Sequence, residues 1–268
     1  MTRNTTLILT LLCLSTCAAF AQNYYPTEIG NTWVLESKDG AERATYTLET
    51  PDEEVSSEKF RTLKIVTEVL GTTAMDTNTF LVEIGEDGMK LHKIVAELGP
   101  IFGTVRMEFS PAAIFFPATL QLGEIWETLG EADVYLIGNV EISSENEVVA
   151  VEDVVTPAGT FENCLKIRIR TKTTAALGSS RSTSYQWLAP DIGPVKFETG
   201  QDIVFELTSF TLVTPEKPYD VNADGVINIL DLTLVASHFG STNPEADVND
   251  DGMVNILDLV LVAQNFGG

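Results

Sequence analysis

The sequence predicts a mainly β protein, an antiparallel barrel, half-barrel or sandwich, followed by a small α domain of paired loop–helix units. Short runs that alternate in polarity or are rich in β-branched residues recur through residues 22–213. Gly, Pro and Asp clusters separate these runs. Near the C-terminus, two acidic loops are each followed by a helical apolar pattern. We therefore expect a leader at 1–21, a β domain at 22–213, a linker at 214–219 and an α domain at 220–268.

Residues 1–21 have the pattern of a secretory signal peptide. Arg3 precedes the apolar run Leu7–Leu14, and Ala19–Ala21 forms a small-residue cleavage site. The apolar run is too short to span a membrane, and no later stretch is long enough. We expect export with cleavage after Ala21, and the alternative is a lipoprotein signal that ends at Cys17.

The β domain is predicted from about eleven strands. In Leu165–Arg170, aliphatic and cationic residues alternate, which is typical of a half-buried antiparallel strand. The predicted strands are Thr32–Leu35, Ala44–Leu48, Thr62–Val69, Thr79–Ile84, Lys90–Val95, Val134–Ile142, Glu147–Val154, Leu165–Thr171, Thr183–Leu188, Val195–Glu198 and Ile203–Val213. Many short strands without a long helical period favour a barrel, half-barrel or sandwich.

The segment Ile101–Leu120 is apolar but contains Pro111 and Pro117. We interpret it as a core segment with a loop. The alternative is a lining or lid for an apolar cavity inside a half-barrel. The aromatic residues of that lid would be Phe102, Phe109, Phe115 and Phe116.

Charge and cysteine content exclude several classes. The chain has 39 acidic and 16 basic residues, a net charge of −23, which disfavours binding to nucleic acid or anionic lipid. Without the leader only Cys164 remains, so no internal disulfide can form. We expect Cys164 to be a small buried residue on a strand.

The C-terminal residues 220–240 and 247–267 are two copies of one unit. Fifteen of the 21 aligned positions are identical, so the unit is duplicated. Each copy begins with Asp-Val-Asn-x-Asp-Gly, and Asn and Asp follow at loop positions 9 and 12. A calcium ion takes about six to eight oxygen ligands, usually from alternate positions of such a loop, with Gly at the sharp turn.

The spacing therefore predicts two bound calcium ions, one in each loop. Side-chain oxygens would come from positions 1, 3, 5, 9 and 12, and position 7 would offer its backbone carbonyl. The predicted ligands are Asp220, Asn222, Asp224, Val226, Asn228 and Asp231 in the first loop, and Asp247, Asn249, Asp251, Met253, Asn255 and Asp258 in the second.

These residues resemble the type I dockerin domain over about 219–268. The shared features are two loop-then-helix units, Asp at loop position 12, and no helix before the loops. Pro215 and Pro218 exclude a helix before the first loop. The resemblance implies calcium-dependent binding to a cohesin-like partner. Partner choice in the family depends partly on loop positions 10 and 11, where both repeats carry Ile-Leu rather than small or hydroxylated residues.

The two predicted helices carry more apolar residues than a small core can cover. The stripe in the first helix is Ile229, Leu232, Val235, Ala236 and Phe239; the stripe in the second is Ile256, Leu259, Val260, Ala263 and Phe266. The surplus predicts a surface for a partner or for the β domain of this chain. The alternative is that both faces pack between the helices. The candidate partner-binding residues are Ile229, Leu230, Leu234, Ile256, Leu257 and Leu261.

Three stretches of the β domain resemble a group of exported bacterial β-rich proteins of unknown function. They are Tyr25–Trp33, Thr156–Cys164 and Trp187–Lys196. The resemblance implies a fold similar in layout to periplasmic lipoprotein-carrier half-barrels. We expect Trp33 and Trp187 to be core residues.

Catalytic motifs are absent from the sequence. It contains no nucleophile elbow, phosphate loop, dinucleotide fingerprint or zinc-protease motif. We expect His92 to be a surface or core residue rather than a base, and we assign no catalytic residue.

The sequence thus predicts a secreted or cell-surface protein whose calcium module docks a β domain of unknown role. Two alternatives stay open for the β domain: an extracellular glycoside hydrolase or carbohydrate-binding protein in polysaccharide breakdown, and a carrier of an apolar ligand. If the chain is an enzyme, we expect the first of these.

Overall fold

The computed structural model describes residues 23–51, 59–97, 103–134, 138–176, 178–213 and 219–267. The chain divides into two compact units between Val213 and Thr214. The predicted leader, the predicted linker up to residue 218, and Phe102 lie outside the described residues.

The first unit is a closed antiparallel barrel. Each strand pairs with the next along the chain, and the last strand pairs with the first. Of the architectures that the sequence left open, the structure shows the closed barrel. Its described strands are β1 Thr32–Ser37, β2 Glu42–Glu49, β3 Phe60–Val69, β4 Met75–Gly85, β5 Gly88–Glu97, β6 Thr104–Pro117, β7 Ile125–Val134, β8 Gly138–Thr156, β9 Gly159–Ala175, β10 Gly178–Ala189, β11 Gly193–Glu198 and β12 Val204–Thr211.

Alternation along β9 separates the barrel interior from its outer face. Leu165 and Ile167 are buried. Arg168 and Arg170 lie on the other face, where they form ion pairs with Glu147 and Glu145 of the neighbouring strand β8. The half-buried strand predicted at this position is confirmed.

The two predicted core tryptophans are buried, and each indole N–H has a partner. The Trp33 Nε1 donates to the Ile192 carbonyl at 2.6 Å, and the Trp187 Nε1 donates to the Glu152 carboxylate at 2.6 Å. Lys166 Nζ and Lys196 Nζ lie 4.8 and 4.5 Å from the centroid of a ring of Trp187. Buried indole N–H groups need acceptors, so the two hydrogen bonds from Nε1 orient the rings of Trp33 and Trp187.

The predicted core segment at residues 101–120 is confirmed in part: Met107, Phe109 and Phe116 are buried, but most of the segment is the strand β6. The alternative of a cavity lining also holds for Phe109, Phe115 and Phe116. The register between β5 and β6 shifts from Leu91–Ala113 to Lys93–Glu108, so residues 109–112 form a bulge. Pro111 is tolerated there because a residue in a bulge does not have to donate a backbone hydrogen bond to the neighbouring strand.

The predicted strand Val134–Ile142 is also wrong. Val134 ends β7 and Gly138 begins β8. Gly138 has a φ of 81°, a value that favours glycine and marks a chain reversal. The apolar residues on both sides of the reversal concealed it in the sequence.

The second unit contains two described helices, α1 Ile229–Ser237 and α2 Ile256–Gln264. Asn228 and Asn255 are the N-caps, and each belongs to a reciprocal capping box. Both helices begin at the first residue of the predicted apolar stripes, Ile229 and Ile256. The caps are local in sequence, which is why the pattern predicts the helix starts well.

The core of this unit is built twice from equivalent positions of the repeat. Gly240 N donates to the Val254 carbonyl at 2.8 Å, and its repeat equivalent Gly267 N donates to the Ile227 carbonyl at 3.0 Å. Each repeat therefore donates a backbone hydrogen bond to the other repeat. The buried apolar residues are Ile227, Val235, Ala246, Val254 and Val262.

The predicted apolar stripes are only partly buried, so the alternative that both faces pack between the helices is wrong. Ile229 and Phe239 are 60 % and 58 % exposed, and Ile256 and Phe266 are 59 % and 45 % exposed. Each helix buries a face that is narrower than its apolar stripe. The most fully buried residues of that face are Asp231 and Val235 in α1, and Asp258 and Val262 in α2. The stripes instead contribute to an apolar surface.

Candidate calcium-binding loops

The first residue of each loop organises the turn that follows it. The Asp220 carboxylate accepts hydrogen bonds from Asp224 N at 3.1 Å and Gly225 N at 2.7 Å. The Asp247 carboxylate accepts the equivalent bonds from Asp251 N at 3.2 Å and Gly252 N at 2.7 Å. A carboxylate at loop position 1 thus draws the backbone around itself, which folds the loop into a ring.

Left-handed residues give both rings the same curvature. Gly225 and Gly252 have φ values of 88° and 91°, and Ala223 and Asp250 have φ values of 55° and 54°. A side chain at φ near +90° is strained, so glycine is required at position 6. The two loops therefore share one backbone path as well as one sequence.

The side chains at positions 3, 5 and 9 bond within the ring. In the first loop, Asn222 Nδ2 donates to Asp224 Oδ2 at 2.9 Å, and Asn228 Nδ2 donates to the Val226 carbonyl at 2.9 Å. The second loop repeats both bonds at 3.0 Å: Asn249 Nδ2 donates to Asp251, and Asn255 Nδ2 donates to the Met253 carbonyl. The predicted ligands are therefore neighbours in space.

The residue at position 12 joins the loop to its helix. Asp231 is fully buried and accepts from Asn228 N at 2.8 Å and Asn222 N at 3.1 Å. Burial has the largest single effect and raises the pKa of Asp231, but the backbone N–H groups together outweigh it and hold the pKa below its usual value. Asp258 makes the equivalent bonds to Asn255 N and Asn249 N at 2.7 and 3.3 Å.

The donor chemistry of each loop fits calcium. Twelve residues bring together three carboxylates, two amide oxygens and one backbone carbonyl, which are the hard oxygen donors that this ion takes. Within the described ranges, no three His, Cys, Asp or Glu side chains converge as a metal-ligating group. In both loops the Asn amides donate to oxygens that are predicted to bind the ion, so an entering cation would have to replace those hydrogen bonds.

Four of the six predicted partner-binding residues are well exposed. Ile229 and Leu230 are 60 % and 59 % exposed, and their repeat equivalents Ile256 and Leu257 are 59 % and 55 % exposed. Leu234 and Leu261, one turn further on, are half-buried. Each repeat thus presents the same apolar patch at the start of its helix.

The single cysteine of the β domain is buried and protonated at neutral pH. Cys164 lies on β9, has no solvent exposure and donates to the Phe161 carbonyl at 3.3 Å. Burial raises the pKa of the thiol to about 11. The expectation of a buried cysteine on a strand is confirmed.

His92 lies on β5 and is half-buried. Its Nε2 is 2.8 Å from Glu83 Oε2 on β4, and its ring packs against Phe60. These contacts account for the side chain as part of the strand packing, in line with the expectation of a surface or core residue.

Comparison with known families agrees with the geometry of the loops. Residues 218–267 match the model of the dockerin type I domain family, so the resemblance predicted from the loop spacing is confirmed. We refer to 219–267 below as the dockerin segment. Residues 104–203, within the barrel, match a family described as DUF3108-like.

Two solved structures are similar to the barrel unit at low identity. One is of a candidate lipoprotein from Parabacteroides distasonis, 14 % identical, covering 71 % of this chain and 99 % of that chain with a TM-score of 0.44. The other is of a candidate exported protein with a YmcC-like fold from Bacteroides fragilis, 16 % identical, covering 71 % of this chain and 100 % of that chain with a TM-score of 0.40. No curated protein matches the chain.

In the part of the chain that the structure describes, neither helix is long and apolar enough to cross a membrane.

Proposed function

We propose that this chain is an exported protein whose dockerin segment binds two calcium ions and attaches the barrel to a cohesin-like protein outside the cell or on its surface. The observation that carries the proposal is the duplicated loop–helix unit, 220–240 and 247–267, within a segment that matches the dockerin family. In this proposal the barrel is the domain that the dockerin segment attaches to the partner.

In this proposal one ion occupies each loop. Asp220, Asp224 and Asp231 with two Asn amide oxygens and the Val226 carbonyl would hold the first ion, and the equivalent residues would hold the second. A divalent ion offsets most of the charge of three carboxylates, whose repulsion otherwise opposes closure of the loop. Because Asp231 and Asp258 also cap the helices, ion binding stabilises the start of each helix.

The docking surface in this proposal is the exposed apolar patch at the start of each helix. Apolar residues that are half or more exposed beside one another on a small unit are typical of protein interfaces. The dockerin segment contains acidic residues but no Lys or Arg, so a partner with basic residues around an apolar centre fits it best. Since the patch occurs twice, two equivalent binding orientations are available.

The test is a pull-down from exported and surface proteins with the full chain as bait, in calcium and in chelator. We expect a partner that is retained only with calcium. The variant Leu230→Ser with Leu257→Ser should lose it, because both side chains are exposed and their replacement leaves the core intact. Val155→Ser, at a 70 % exposed position on the barrel, is the matched control. Retention of the same partner by the double variant would contradict the proposed surface.

A further inference from the structure

The seam between β6 and β7 has few backbone pairs. In the described residues these strands share a single register pair, Met107 with Ala132, whereas β7 and β8 pair along their whole length. Two side chains bridge the seam instead: Trp126 Nε1 donates to the Phe115 carbonyl at 3.1 Å, and Thr128 Oγ1 donates to the Ile114 carbonyl at 2.7 Å. Side-chain hydrogen bonds to carbonyls of β6 therefore take the place of part of the ladder between the two strands.

The Phe109 ring on β6 packs against Gly130 on β7, and the missing side chain of Gly130 leaves room for it. A Cβ built on Gly130 would lie 2.5 Å from Phe109 Cε1 and 2.6 Å from Met107 Sδ. Gly130 is not in the left-handed region, so the requirement for glycine here is spatial. The Phe109 ring therefore covers the β7 backbone at Gly130, beside the bulge of β6.

Two cavities meet at that ring. An outer groove of about 630 Å³ runs along the seam, and an inner cavity of about 180 Å³ lies in the barrel interior. Phe109, Gly130 and Ile142 line both, so the same side chains form the floor of the groove and the wall of the cavity. The inner volume is comparable with the roughly 150 Å³ cavities that hold benzene in other proteins.

The lining of the inner cavity combines an aromatic wall with two side-chain amides. Phe109, Phe115, Phe116 and Trp126 supply the aromatic surface. Asn146 is buried, with an exposure of 7 %. Its Nδ2 donates hydrogen bonds to backbone and hydroxyl oxygens.

The acceptor side of these amides is free within the described residues. The Oδ1 of Asn146 accepts no hydrogen bond from them, and the side-chain amide of Gln186, which is half-buried in the same lining, makes none with them. Among the described residues, Arg168 Nε is the fully buried side-chain atom without a partner, so the amides of Asn146 and Gln186 face space that a ligand can enter. A ligand that carries a hydroxyl or amine would pair with these amides.

The mouth of the groove selects against anions. Glu108, Glu127, Glu131 and Glu141 line it with Lys172 as the one basic residue. A net negative rim repels carboxylates and phosphates and admits neutral or cationic molecules.

We infer that groove and cavity form one binding site for a neutral small molecule with an aromatic or short aliphatic body and one hydrogen-bond donor. The body occupies the aromatic cavity behind Phe109, and the donor bonds to the amides of Asn146 and Gln186. The site belongs to the barrel and is independent of calcium and of docking.

Three probes of one shape test this inference: p-cresol, toluene and 4-methylbenzoate, titrated into the full chain and followed by ligand-observed NMR. We expect p-cresol to bind about fivefold more tightly than toluene, the value of one neutral hydrogen bond, and 4-methylbenzoate to bind most weakly. Absence of p-cresol binding at millimolar concentration, or equal binding of all three, would overturn the inference.

Variants locate the site. Ile142→Phe fills the cavity and should abolish binding of p-cresol and toluene, whereas Val151→Phe, at a 46 % exposed position on the same strand, should leave both unchanged. Gln186→Leu removes an amide that the described fold does not use, so the protein should stay folded while its preference for p-cresol falls. Binding that survives Ile142→Phe, or a preference kept in both Gln186→Leu and Asn146→Leu, would refute the assignment.

Discussion

Removing one carboxylate from each calcium loop should unfold the dockerin segment and spare the barrel. In the variant Asp224→Ala with Asp251→Ala, both replaced side chains are exposed and accept hydrogen bonds from their own loops. Neither contributes to the apolar core of the unit. The substitutions therefore act through calcium affinity rather than through packing.

The magnitude follows from the size of the segment. A unit of 49 described residues, 219–267, has a free energy of unfolding of about 2–7 kcal/mol by the usual per-residue range. An ion present at about 100 times its dissociation constant adds about 2.7 kcal/mol at each site. Two sites therefore supply about 5 kcal/mol, which is comparable with the whole stability of the segment.

The assay is hydrogen exchange with mass spectrometry on the full chain in saturating calcium, with helical circular dichroism alongside. Amides of α1 and α2 should be protected in the natural chain and exchange at the unfolded rate in the double variant, while barrel peptides stay protected. Asp250→Ala is the matched control, because Ala223 already occupies the equivalent position at nearly the same φ, 55° against 54°. Protection of α1 and α2 in the double variant equal to that of the natural chain would refute the reasoning.

Three further predictions concern the barrel. Gly88→Ala should lower the free energy of unfolding by about 2 kcal/mol more than Gly123→Ala, measured by urea titration. Both glycines have φ above 80°, but only at Gly88 would a Cβ lie 2.3 Å from the Phe116 carbonyl oxygen. Equal losses of stability in the two variants would contradict this prediction. The Cys164 thiol, with its pKa raised to about 11 by burial, should resist iodoacetamide at pH 8 in the native chain and react in urea, as peptide mass spectrometry would show. Burial raises the pKa of Tyr46 to about 12, so the contribution of Tyr46 to stability is complete below pH 10 and is lost as the pH rises towards 12. Tyr46→Phe should therefore reduce the loss of stability at alkaline pH. An unchanged dependence of stability on pH in this variant would count against the prediction.

The loops and helix starts of the dockerin segment could be predicted because their interactions are local in sequence. Asn228 caps α1 through Leu230 N, two residues away, and Asp220 bonds to N–H groups four and five residues away. A pattern of Asp, Asn and Gly is enough to specify such contacts.

The buried face of each helix could not be predicted in the same way. Periodicity selected Ile229 and Phe239, which are exposed, and omitted Val262, which is buried. The choice of face depends on how one repeat closes on the other, through bonds such as Gly240 N to the Val254 carbonyl. Those bonds join separate repeats, so the helical period of a single repeat does not reveal them.

The amino-acid sequence alone determined the β class of the first unit, its buried Cys164 and core tryptophans, and the duplicated dockerin segment, because alternation and loop spacing are written along the chain. Only the tertiary structure decided that the barrel closes, that few backbone pairs join β6 to β7, and that Phe109, Asn146 and Gln186 surround one cavity. The physical reason is that strand register and a bulge bring together residues far apart in sequence, and no local pattern records those distances.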